Sequence, residues 1–380
     1  MRILHILNHI REVGNGIVNV AIDLACLQAR AGHQITVISK GGEYESLLAQ
    51  QGVQHHLLDQ TRTWRNLPST ASQYCEIIRQ VQPDIVHAHM MTGVVLAKAL
   101  RFNAHYRLVS TVHNEFQRSA WLMGLADCTI AVSEAVAHAM QQRGIPEAKL
   151  KVIRNGTIGS PRQSVCPSLG QSPCEPAVAL QHPAIVTVAG LNYRKGISYL
   201  IEGFNQIAES MVEAHLYIVG EGPNRNKFEQ QANESPFRDR IHFEGFQPDP
   251  QRYLRSADVF VLASLQEPFG LVLAEAREAG CAIVASQVGG IPEALEGGEA
   301  GQLIPAADSG AIATAIKPLL ADPAVRHLWQ QKSQRNLELL SAHRMVKETL
   351  ALYENELRLR KEGIGRPLKQ LRSPPNSQST

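Results

Sequence analysis

Residues 1–39, MRILHILNHIREVGNGIVNVAIDLACLQARAGHQITVIS, contain the pattern that decides the fold. Two short apolar segments, Met1 to Leu7 and Gln34 to Ser39, enclose a helical pattern that runs from about Ile17 to Ala31. The loop Gly14-Asn15-Gly16 precedes the helical segment. A strand, a helix and a second strand in this order predict a parallel β-α-β unit.

The same alternation continues along the chain in two blocks. In the first block further strands are predicted at Asp84 to His89, Leu108 to His113, Cys128 to Ser133 and Lys151 to Asn155. In the second block strands are predicted at Ala184 to Ala189, His215 to Val219, Ile241 to Phe246, Asp258 to Ala263 and Ala282 to Ser286. Helices are predicted near Ile197 to Glu209, Arg225 to Asn233, Leu271 to Ala279 and Ala311 to Leu320. This pattern predicts an α/β protein with two Rossmann-like, doubly wound domains and a cleft between the carboxyl ends of their sheets.

The chain length also favours two domains, because 380 residues exceed the roughly 250 to 300 that one hydrophobic core serves. A stretch rich in Ser, Pro, Gln and Gly separates the two blocks. We therefore predict a first domain at 1–160, a linker at 161–183, a second domain at 184–341, a helix at 342–362 that crosses back to the first domain, and a disordered tail at 363–380.

Composition excludes several classes of protein. With 37 basic and 35 acidic residues the net charge is +2, so the chain as a whole has no attraction to nucleic acid or anionic lipid. The six cysteines form no C-x-x-C pair, which favours reduced thiols in the cytoplasm. No apolar run approaches the about 20 residues of a membrane span. The sequence predicts a cytoplasmic protein, with peripheral contact at the inner membrane face as an alternative.

The glycine-rich first turn suggests an enzyme that binds a dinucleotide cofactor. The turn reads G-N-G-I-V-N, without the third glycine of G-x-G-x-x-G, and the second strand ends at Ser39 where an acid would hold a ribose. An oxidoreductase with a Rossmann cofactor remains an alternative. A site for phosphate or sugar is favoured over it.

The segment E-P-F-G-L-V-L-A-E, Glu267 to Glu275, predicts a nucleotide-sugar site. A loop becomes a helix at Phe269, Gly270 and Leu271, and free backbone amides at a helix start bind phosphate. Glu275, one turn along, can accept hydrogen bonds from a ribose diol, while Glu267 lies on the other side of the phosphates. Either glutamate alone is explained by the favourable position of negative charge at a helix start.

The longer segment Glu267 to Glu293, EPFGLVLAEAREAGCAIVASQVGGIPE, resembles the donor-site motif of the group-1 (family 4) glycosyltransferases, which are retaining enzymes of the GT-B fold. Other matching motifs occur in order along residues 1 to 320. These are D-I-V-H-A-H at Asp84 to His89, T-V-H-N at Thr111 to Asn114, A-V-S-E at Ala131 to Glu134, R-N-G at Arg154 to Gly156, R-K-G at Arg194 to Gly196 and V-G-E-G-P at Val219 to Pro223.

The resemblance implies specific roles for individual residues. It implies a catalytic set of His113, Lys195 and Glu267, and a donor-binding set of Gly14, Gly16, Arg194, Lys195, Glu267, Phe269, Gly270, Leu271 and Glu275. Within these sets Glu275 binds the ribose, Lys195 neutralises the phosphates and His113 lies near the transferred sugar. The family usually has an arginine about five residues before the lysine, where this chain has Gly190, and Arg194 is the candidate substitute.

No metal ion and no cofactor are expected. His87 and His89 share one face of a predicted strand, but the chain contains no D-x-D and His-x-His without a third convergent ligand is usually strand packing. The nucleotide-diphosphate sugar would be a substrate.

The sequence therefore predicts transfer of a sugar from a nucleotide-diphosphate sugar to a glycan, a lipid-linked molecule or another hydroxyl acceptor, in polysaccharide or glycolipid synthesis. One alternative is a nucleotide-sugar-binding protein without transferase activity. Another is a glycosidase that uses Glu267 and Glu275 as its carboxylate pair. The segment F-Q-R-S-A-W-L-M-G, Phe116 to Gly124, is interpreted as a wall of the acceptor pocket or as a peripheral membrane contact.

Overall fold

A computed structural model describes residues 1–61, 63, 66–101, 104–162 and 177–362 of the chain. The predicted tail at 363–380 and residues 163–176 of the predicted linker lie outside the described residues. The described part contains two parallel sheets, and the prediction of two Rossmann-like, doubly wound α/β domains is confirmed.

The first sheet has seven parallel strands in the order β3-β2-β1-β4-β5-β6-β7. Its strands are β1 (Arg2–Ile6), β2 (Gln34–Ser39), β3 (Gln54–Leu57), β4 (Ile85–Ala88), β5 (Arg107–Val112), β6 (Cys128–Ala131) and β7 (Leu150–Val152). The helices between them are α1 (Gly16–Arg30), α2 (Glu45–Gln50), α3 (Leu67–Val81), α4 (Met91–Ala99) and α5 (Glu134–Gln142).

The second sheet has six parallel strands in the order β10-β9-β8-β11-β12-β13. Its strands are β8 (Ala184–Val188), β9 (His215–Val219), β10 (Ile241–Gly245), β11 (Val259–Leu262), β12 (Ala282–Ser286) and β13 (Gln302–Ile304). The accompanying helices are α6 (Ile197–Ala208), α7 (Arg225–Asn233), α8 (Gln251–Ser256), α9 (Leu271–Glu278), α10 (Ile291–Ala294), α11 (Ser309–Ala321) and α12 (Pro323–Ser333).

Strands β3 and β13 and several helices, α12 among them, were not predicted from the sequence. Strands β3 and β13 lie at sheet edges, and the β3 sequence Q-H-H-L is too polar to resemble a buried strand. Helix α12 begins with the Asp322 side chain, which accepts hydrogen bonds from two amides of its first turn, and with Pro323 as its first residue.

The chain crosses between the domains twice, and the two crossings run side by side. Ile158 pairs with Ser341 in a parallel bridge, and the Ala342 amide donates to the Ile158 carbonyl at 2.9 Å. Gly156 lies so close to the second crossing that a Cβ there would overlap the Ser341 carbonyl oxygen. Close packing against the second crossing therefore requires glycine at this position of the R-N-G motif.

The last helix, α13 (Ala342–Lys361), packs on the first domain. Met345, Val346 and Tyr353 are buried in the same cluster as apolar side chains of β1, β2 and α1. Fully burying each such side chain contributes about 1.5 to 3 kcal/mol. Helix α13 is therefore part of the first domain in space, although it follows the second domain in sequence.

Each sheet has a point at which the strand order reverses. In the first sheet this point lies between β1 and β4, and in the second between β8 and β11. Ligands of open α/β sheets bind in the crevice at such points, beyond the carboxyl ends of the strands. The loops after these four strands are therefore the first place to look for a site.

Candidate active site

Three loops of the second domain meet beyond the carboxyl ends of β8, β11 and β12. The Leu265 amide donates to the Arg194 carbonyl at 2.7 Å, and the Gly290 amide donates to the Glu267 carbonyl at 3.0 Å. A Cβ at Gly289 would overlap the Glu267 carbonyl oxygen. The R-K-G, E-P-F-G and V-G-G-I-P motifs, which are far apart in sequence, thus form one backbone-packed unit.

Lys195 and Glu267 form an ion pair at the centre of this unit. Lys195 Nζ lies 2.5 Å from Glu267 Oε2, and both side chains are largely buried. The Ser264 hydroxyl donates to the same carboxylate oxygen at 3.1 Å. An ammonium group has three donors, so Lys195 keeps two for other acceptors while Glu267 holds it in place.

The start of α9 follows directly after this ion pair. Gly270 is the N-cap residue with φ of +87°, and no side chain caps the helix. The Leu273 amide donates to the Gly270 carbonyl at 2.9 Å, which leaves the earlier amides of the first turn for a ligand. Phe269 is buried beneath the turn and anchors it.

Glu275, in the second turn of α9, is partly buried and has a perturbed pKa. Burial raises the pKa of its carboxyl from 4.5 to about 7, and the positive charge of Arg162 acts in the opposite direction. Burial removes hydration water from this carboxylate, and hydrogen bonds from the hydroxyl groups of a ligand would stabilise its ionised form.

The electrostatic partner of Glu275 is Arg162, which lies just after the first crossing between the domains and was not predicted from the sequence. Arg162 makes two 2.9 Å hydrogen bonds to the carboxylate of Asp23, which is fully buried on α1, and Ser160 donates to the same carboxylate at 2.5 Å. Asp23 interrupts the apolar face of α1 in the sequence A-I-D-L-A. A charged residue at an otherwise apolar helix position was the available signal that it has a buried partner.

Arg194, the predicted substitute for the arginine missing at Gly190, contacts the first domain. Its guanidinium carbon lies 4.8 Å from the centre of the Phe116 ring, a cation–π geometry. Gly190 is uncrowded, because a Cβ there would meet its nearest atom at 3.7 Å. Arg194 thus joins the R-K-G loop to the loop that follows β5.

Gly14 and Gly16 lie where the first loop meets the second domain. A Cβ at Gly14, whose φ is +65°, would lie 3.3 Å from the Phe246 ring. A Cβ at Gly16 would lie 2.7 Å from Leu271 Cδ1, at the start of α9. These glycines therefore allow the first loop to reach the predicted phosphate-binding turn.

His113 directly follows β5 and belongs to a cluster of four buried histidines. The other members are His5 on β1, His87 on β4 and His89 directly after β4. His89 lies 3.0 Å from His5 and 3.2 Å from His113, measured between ring nitrogens. Burial lowers the pKa of His5 to about 4 and that of His113 to about 3, and it lowers those of His87 and His89 well below the usual range.

A third histidine, His5, converges on His87 and His89. His5 brings a third ring nitrogen to within 4.8 Å of nitrogens of His87 and His89, so the expectation that no third ligand converges on the pair is wrong. The six ring nitrogens of these three histidines nevertheless all have hydrogen-bond partners in protein groups. That no metal is needed stays a prediction.

Glu115 is a further cleft residue that was not predicted. Its Oε2 atom is buried and has no hydrogen-bond partner in the described part of the chain. Burial raises the pKa of Glu115, Glu267 adds to the increase, and Arg143 and Arg194 oppose it. Its position two residues after His113 was the only signal in the sequence.

Three contacts tie the first domain to the second at the rim of the cleft. The Ser133 hydroxyl donates to the Pro268 carbonyl at 2.7 Å. The Glu293 carboxylate accepts from the Ala135 amide at 3.2 Å and from Arg154 Nε at 2.8 Å. The A-V-S-E and R-N-G motifs therefore contact the E-P-F-G loop and the end of the V-G-G-I-P-E motif.

The segment from Phe116 to Gly124 forms most of a 3-10 helix at Arg118–Leu125. Ala120 and Met123 are buried, while the Trp121 side chain is 51% exposed. In the described residues, none of the helices combines the length and apolar character needed to cross a membrane.

The protein has two doubly wound domains. The uncapped start of α9 lies at the point where the strand order of the second sheet reverses, and the buried histidines lie at the corresponding point of the first sheet. This arrangement defines the GT-B class of protein. Family models agree with this class: a model described as "Glycosyltransferase Family 4" matches residues 14–157, and one described as "Glycosyl transferases group 1" matches residues 182–322. The chain belongs to the group-1 glycosyltransferases of the GT-B fold, and it is a glycosyltransferase enzyme.

Known relatives are similar over nearly the whole chain. N-acetyl-alpha-D-glucosaminyl L-malate synthase of Bacillus anthracis is 24% identical over 92% of this chain and 96% of the relative. The crystal structure of Anabaena HepE in complex with UDP and glucose has a TM-score of 0.76 at 20% identity, covering 93% of this chain and 100% of that chain. Sucrose-phosphate synthase from Thermosynechococcus elongatus has a TM-score of 0.77 at 20% identity, with coverage of 94% and 99%.

Proposed function

We propose that the protein is a retaining glycosyltransferase that moves a sugar from a nucleotide-diphosphate sugar to a hydroxyl acceptor. The observation that carries this proposal is the buried Lys195–Glu267 ion pair beside the uncapped start of α9. The loop after β5, which includes His113, touches the same unit through Phe116 and Arg194. No metal ion and no cofactor take part in the proposed reaction.

The diphosphate of the donor would lie between Lys195 and the start of α9. The two free donors of the Lys195 ammonium and the first-turn amides of α9 would bind its oxygens. Preorganised donors of this kind each contribute about 2.7 to 4 kcal/mol when they stabilise charge that develops in the transition state. Arg194 would add a positive charge near the same oxygens.

The two glutamates would bind the two sugars of the donor. Glu275 would accept hydrogen bonds from the ribose hydroxyls, because an ionised carboxylate needs such donors after desolvation. Both observed contacts of Glu267 use Oε2, so Oε1 can accept from a hydroxyl of the transferred sugar.

The V-G-E-G-P loop would form the wall against the nucleotide base. A Cβ at Gly222 would lie 2.5 Å from the Leu191 carbonyl oxygen, and the Gly220 amide donates to the Gly245 carbonyl at 2.7 Å. The glycines hold this wall against the loop after β8. Crystal structures of the fold neighbour HepE are complexes with UDP and with UDP-glucose, so UDP-linked hexoses are the first donors to test.

Retention at the anomeric carbon would follow from attack on the face that the diphosphate leaves. The bond between the anomeric carbon and the phosphate oxygen breaks, and the diphosphate departs with the electron pair. The acceptor oxygen bonds to the same face, and its proton passes to a phosphate oxygen. Closure of the two domains would exclude water during this step.

The acceptor would bind on the side of the first domain. There Glu115 Oε2, which has no partner among the described residues, can accept a hydrogen bond from an acceptor hydroxyl. Relatives include a lipopolysaccharide core biosynthesis glycosyltransferase of Rhizobium meliloti, 26% identical over 66% of this chain and 68% of the relative. We therefore propose a glycan or lipid-linked acceptor in polysaccharide or glycolipid synthesis. The reaction would take place in the cytoplasm, and peripheral contact of the protein with the inner membrane face is the alternative to test.

A panel of UDP-, GDP- and ADP-sugars in thermal-shift and transfer assays tests the proposal. A ligand at about 100 times its Kd adds about 2.7 kcal/mol to stability and raises Tm by a few degrees. Glu275→Ala should abolish that shift and most of the transfer, whereas Glu202→Ala, at an exposed position on α6, should change neither. Release of free sugar from a simple glycoside, with no response to any nucleotide sugar, would refute the proposal.

A further inference from the structure

A chain of hydrogen bonds runs from the back of the first domain to His113. Gln28 Oε1 on α1 lies 2.8 Å from His5 Nε2, and His5 Nδ1 lies 3.0 Å from His89 Nε2. His89 Nδ1 then lies 3.2 Å from His113 Nε2. The chain crosses three adjacent strand ends, because His5 is on β1, His89 follows β4 and His113 follows β5.

The direction of every proton in this chain follows from its first member. In this structure the amide oxygen of Gln28 faces His5, and because an amide oxygen only accepts, His5 Nε2 carries a proton. In a neutral imidazole the other nitrogen is then an acceptor, so His89 Nε2 donates to His5 Nδ1. By the same rule His113 Nε2 donates to His89 Nδ1, and His113 Nδ1 carries no proton.

Burial favours the neutral form of the rings, and among the described residues no acidic side chain is paired with them. His5 and His89 are 0% and 2% exposed, and their ring centres are 5.3 Å apart in a stacked arrangement. A charged imidazolium in this setting would have no counter-ion to offset its desolvation. Neutral imidazoles with one donor and one acceptor each satisfy both ring nitrogens of His5 and His89. In the described part of the chain, Gln28 Nε2 is buried without a hydrogen-bond partner.

We propose that Gln28, His5 and His89 are positioning residues that hold His113 in its neutral Nε2–H tautomer, with the unprotonated Nδ1 available to the transferred sugar. This inference rests on the proposed function of the cleft. Within the described residues Nδ1 of His113 has no hydrogen-bond partner. A lone pair there can accept from a sugar hydroxyl, and its negative end suits the positive charge that develops at the anomeric carbon.

The three ring dipoles point in the same direction, so each hydrogen bond polarises the next one. A protonated His113, or the other tautomer, would instead present an N–H to a centre that becomes positive. The hydrogen-bond chain therefore disfavours both the protonated form and the other tautomer of His113. Of its four members, only His113 would contact the substrate.

His87 belongs to the same cluster but lies outside this chain. Its Nδ1 is 2.6 Å from the Tyr353 hydroxyl on α13, and its Nε2 is 2.7 Å from Thr111 Oγ1. Thr111→Val removes one of these partners with little change in shape and serves as the matched control. Gln28→Leu removes the acceptor that sets the direction of the chain.

Long-range proton–nitrogen NMR of the histidine rings reads the tautomers without any substrate, so it is independent of the proposed function. His113 should be protonated at Nε2 in the wild type and in Thr111→Val, and should become a mixture of tautomers in Gln28→Leu. In transfer assays Gln28→Leu should lower kcat about 10- to 100-fold, as outer partners of functional histidines do. KM for the donor and the Tm should change little.

Three results would overturn the inference. The first is a His113 ring protonated at Nδ1 in the wild-type protein. The second is a Gln28→Leu variant with an unchanged tautomer or unchanged kcat. The third is a stoichiometric zinc ion that survives chelation at His5, His87 and His89, because those ring nitrogens cannot bind zinc and each other together. If the tautomers agree but no nucleotide sugar is turned over, the proposed function fails and not the hydrogen-bond chain.

Discussion

Glu275 shows how one side chain can couple ligand binding to pH. Its pKa is raised to about 7 by burial in the free protein, so near neutral pH the carboxyl is close to half protonated. A ribose diol donates stronger hydrogen bonds to the ionised form, which accepts through both of its oxygens. Binding therefore favours loss of a proton from Glu275.

The affinity for a nucleotide sugar should accordingly rise as the pH increases from 6 to 8. The limiting slope is about tenfold per pH unit below pH 7, because one proton is released on binding. Calorimetry with a nucleotide sugar measures this, since a nucleoside diphosphate would add the titration of its own terminal phosphate near pH 6. Glu275→Gln should bind weakly and without this slope, and an equal slope in the variant would assign the effect to another group.

The same residues show what the sequence can predict. Glu267 and Glu275 lie in one contiguous motif, where helix-start physics and the family resemblance suffice to predict a site. Arg162 and Asp23 meet across 139 positions, and His5 and His89 across 84. Such pairs depend on which strands become neighbours, and the alternation of strands and helices does not specify the strand order β3-β2-β1-β4.

At the scale of elements, the donor-binding unit is shaped by close backbone contacts. Gly289 has φ of +52° and no room for a Cβ beside the Glu267 carbonyl. The sequence predicted this loop through the family motif, but the steric reason is visible only when the loops after β11 and β12 are packed together. Edge strands β3 and β13 were missed for a related reason, because their places are set by neighbouring strands and not by their own composition.

Gly289→Ala should displace the loop that holds Glu267 and abolish binding of the nucleotide sugar. Gly297→Ala is the matched control, since Gly297 also has positive φ, at +70°, but nothing lies within 4 Å of its Cβ position. The control should lose about 1 to 2 kcal/mol of stability through backbone strain and retain binding. Equal loss of binding in both variants would show that strain, and not the loop contact, is responsible.

At the scale of the whole molecule, the buried histidines should make the fold sensitive to acid. Burial lowers the pKa of all four in the folded state, whereas in the unfolded chain they titrate near 6.5. The unfolded state therefore binds more protons below pH 6.5, and this stability is lost as the pH falls toward 4. The free energy of unfolding should fall by up to about 1.4 kcal/mol per pH unit for each histidine.

Denaturant unfolding at pH 7, 6 and 5 measures this slope. His113→Asn should reduce the slope of the unfolding free energy against pH, because one fewer histidine takes up a proton on unfolding. His327→Asn, at an exposed position on α12, should leave that slope unchanged. A stability that is independent of pH over this range would contradict neutral burial of the cluster.

The paired crossings between the domains provide a second test at this scale. Gly156→Ala places a methyl group against the Ser341 carbonyl, and both partners are backbone that cannot move separately. We expect a loss of about 1 to 3 kcal/mol, in the range of overpacking a tight contact. Gly190→Ala, at an uncrowded position, should cost less than 1 kcal/mol, and similar Tm values for the two variants would contradict the close packing.

The position of α13 also determines the order in which the chain can fold during synthesis. The second domain is continuous in sequence from β8 to α12, so it can form as soon as those residues have left the ribosome. The first domain cannot bury the apolar surface around β1 and α1 until residues 342–361 have been made. The half of the protein that is translated first is therefore the half whose core is completed last.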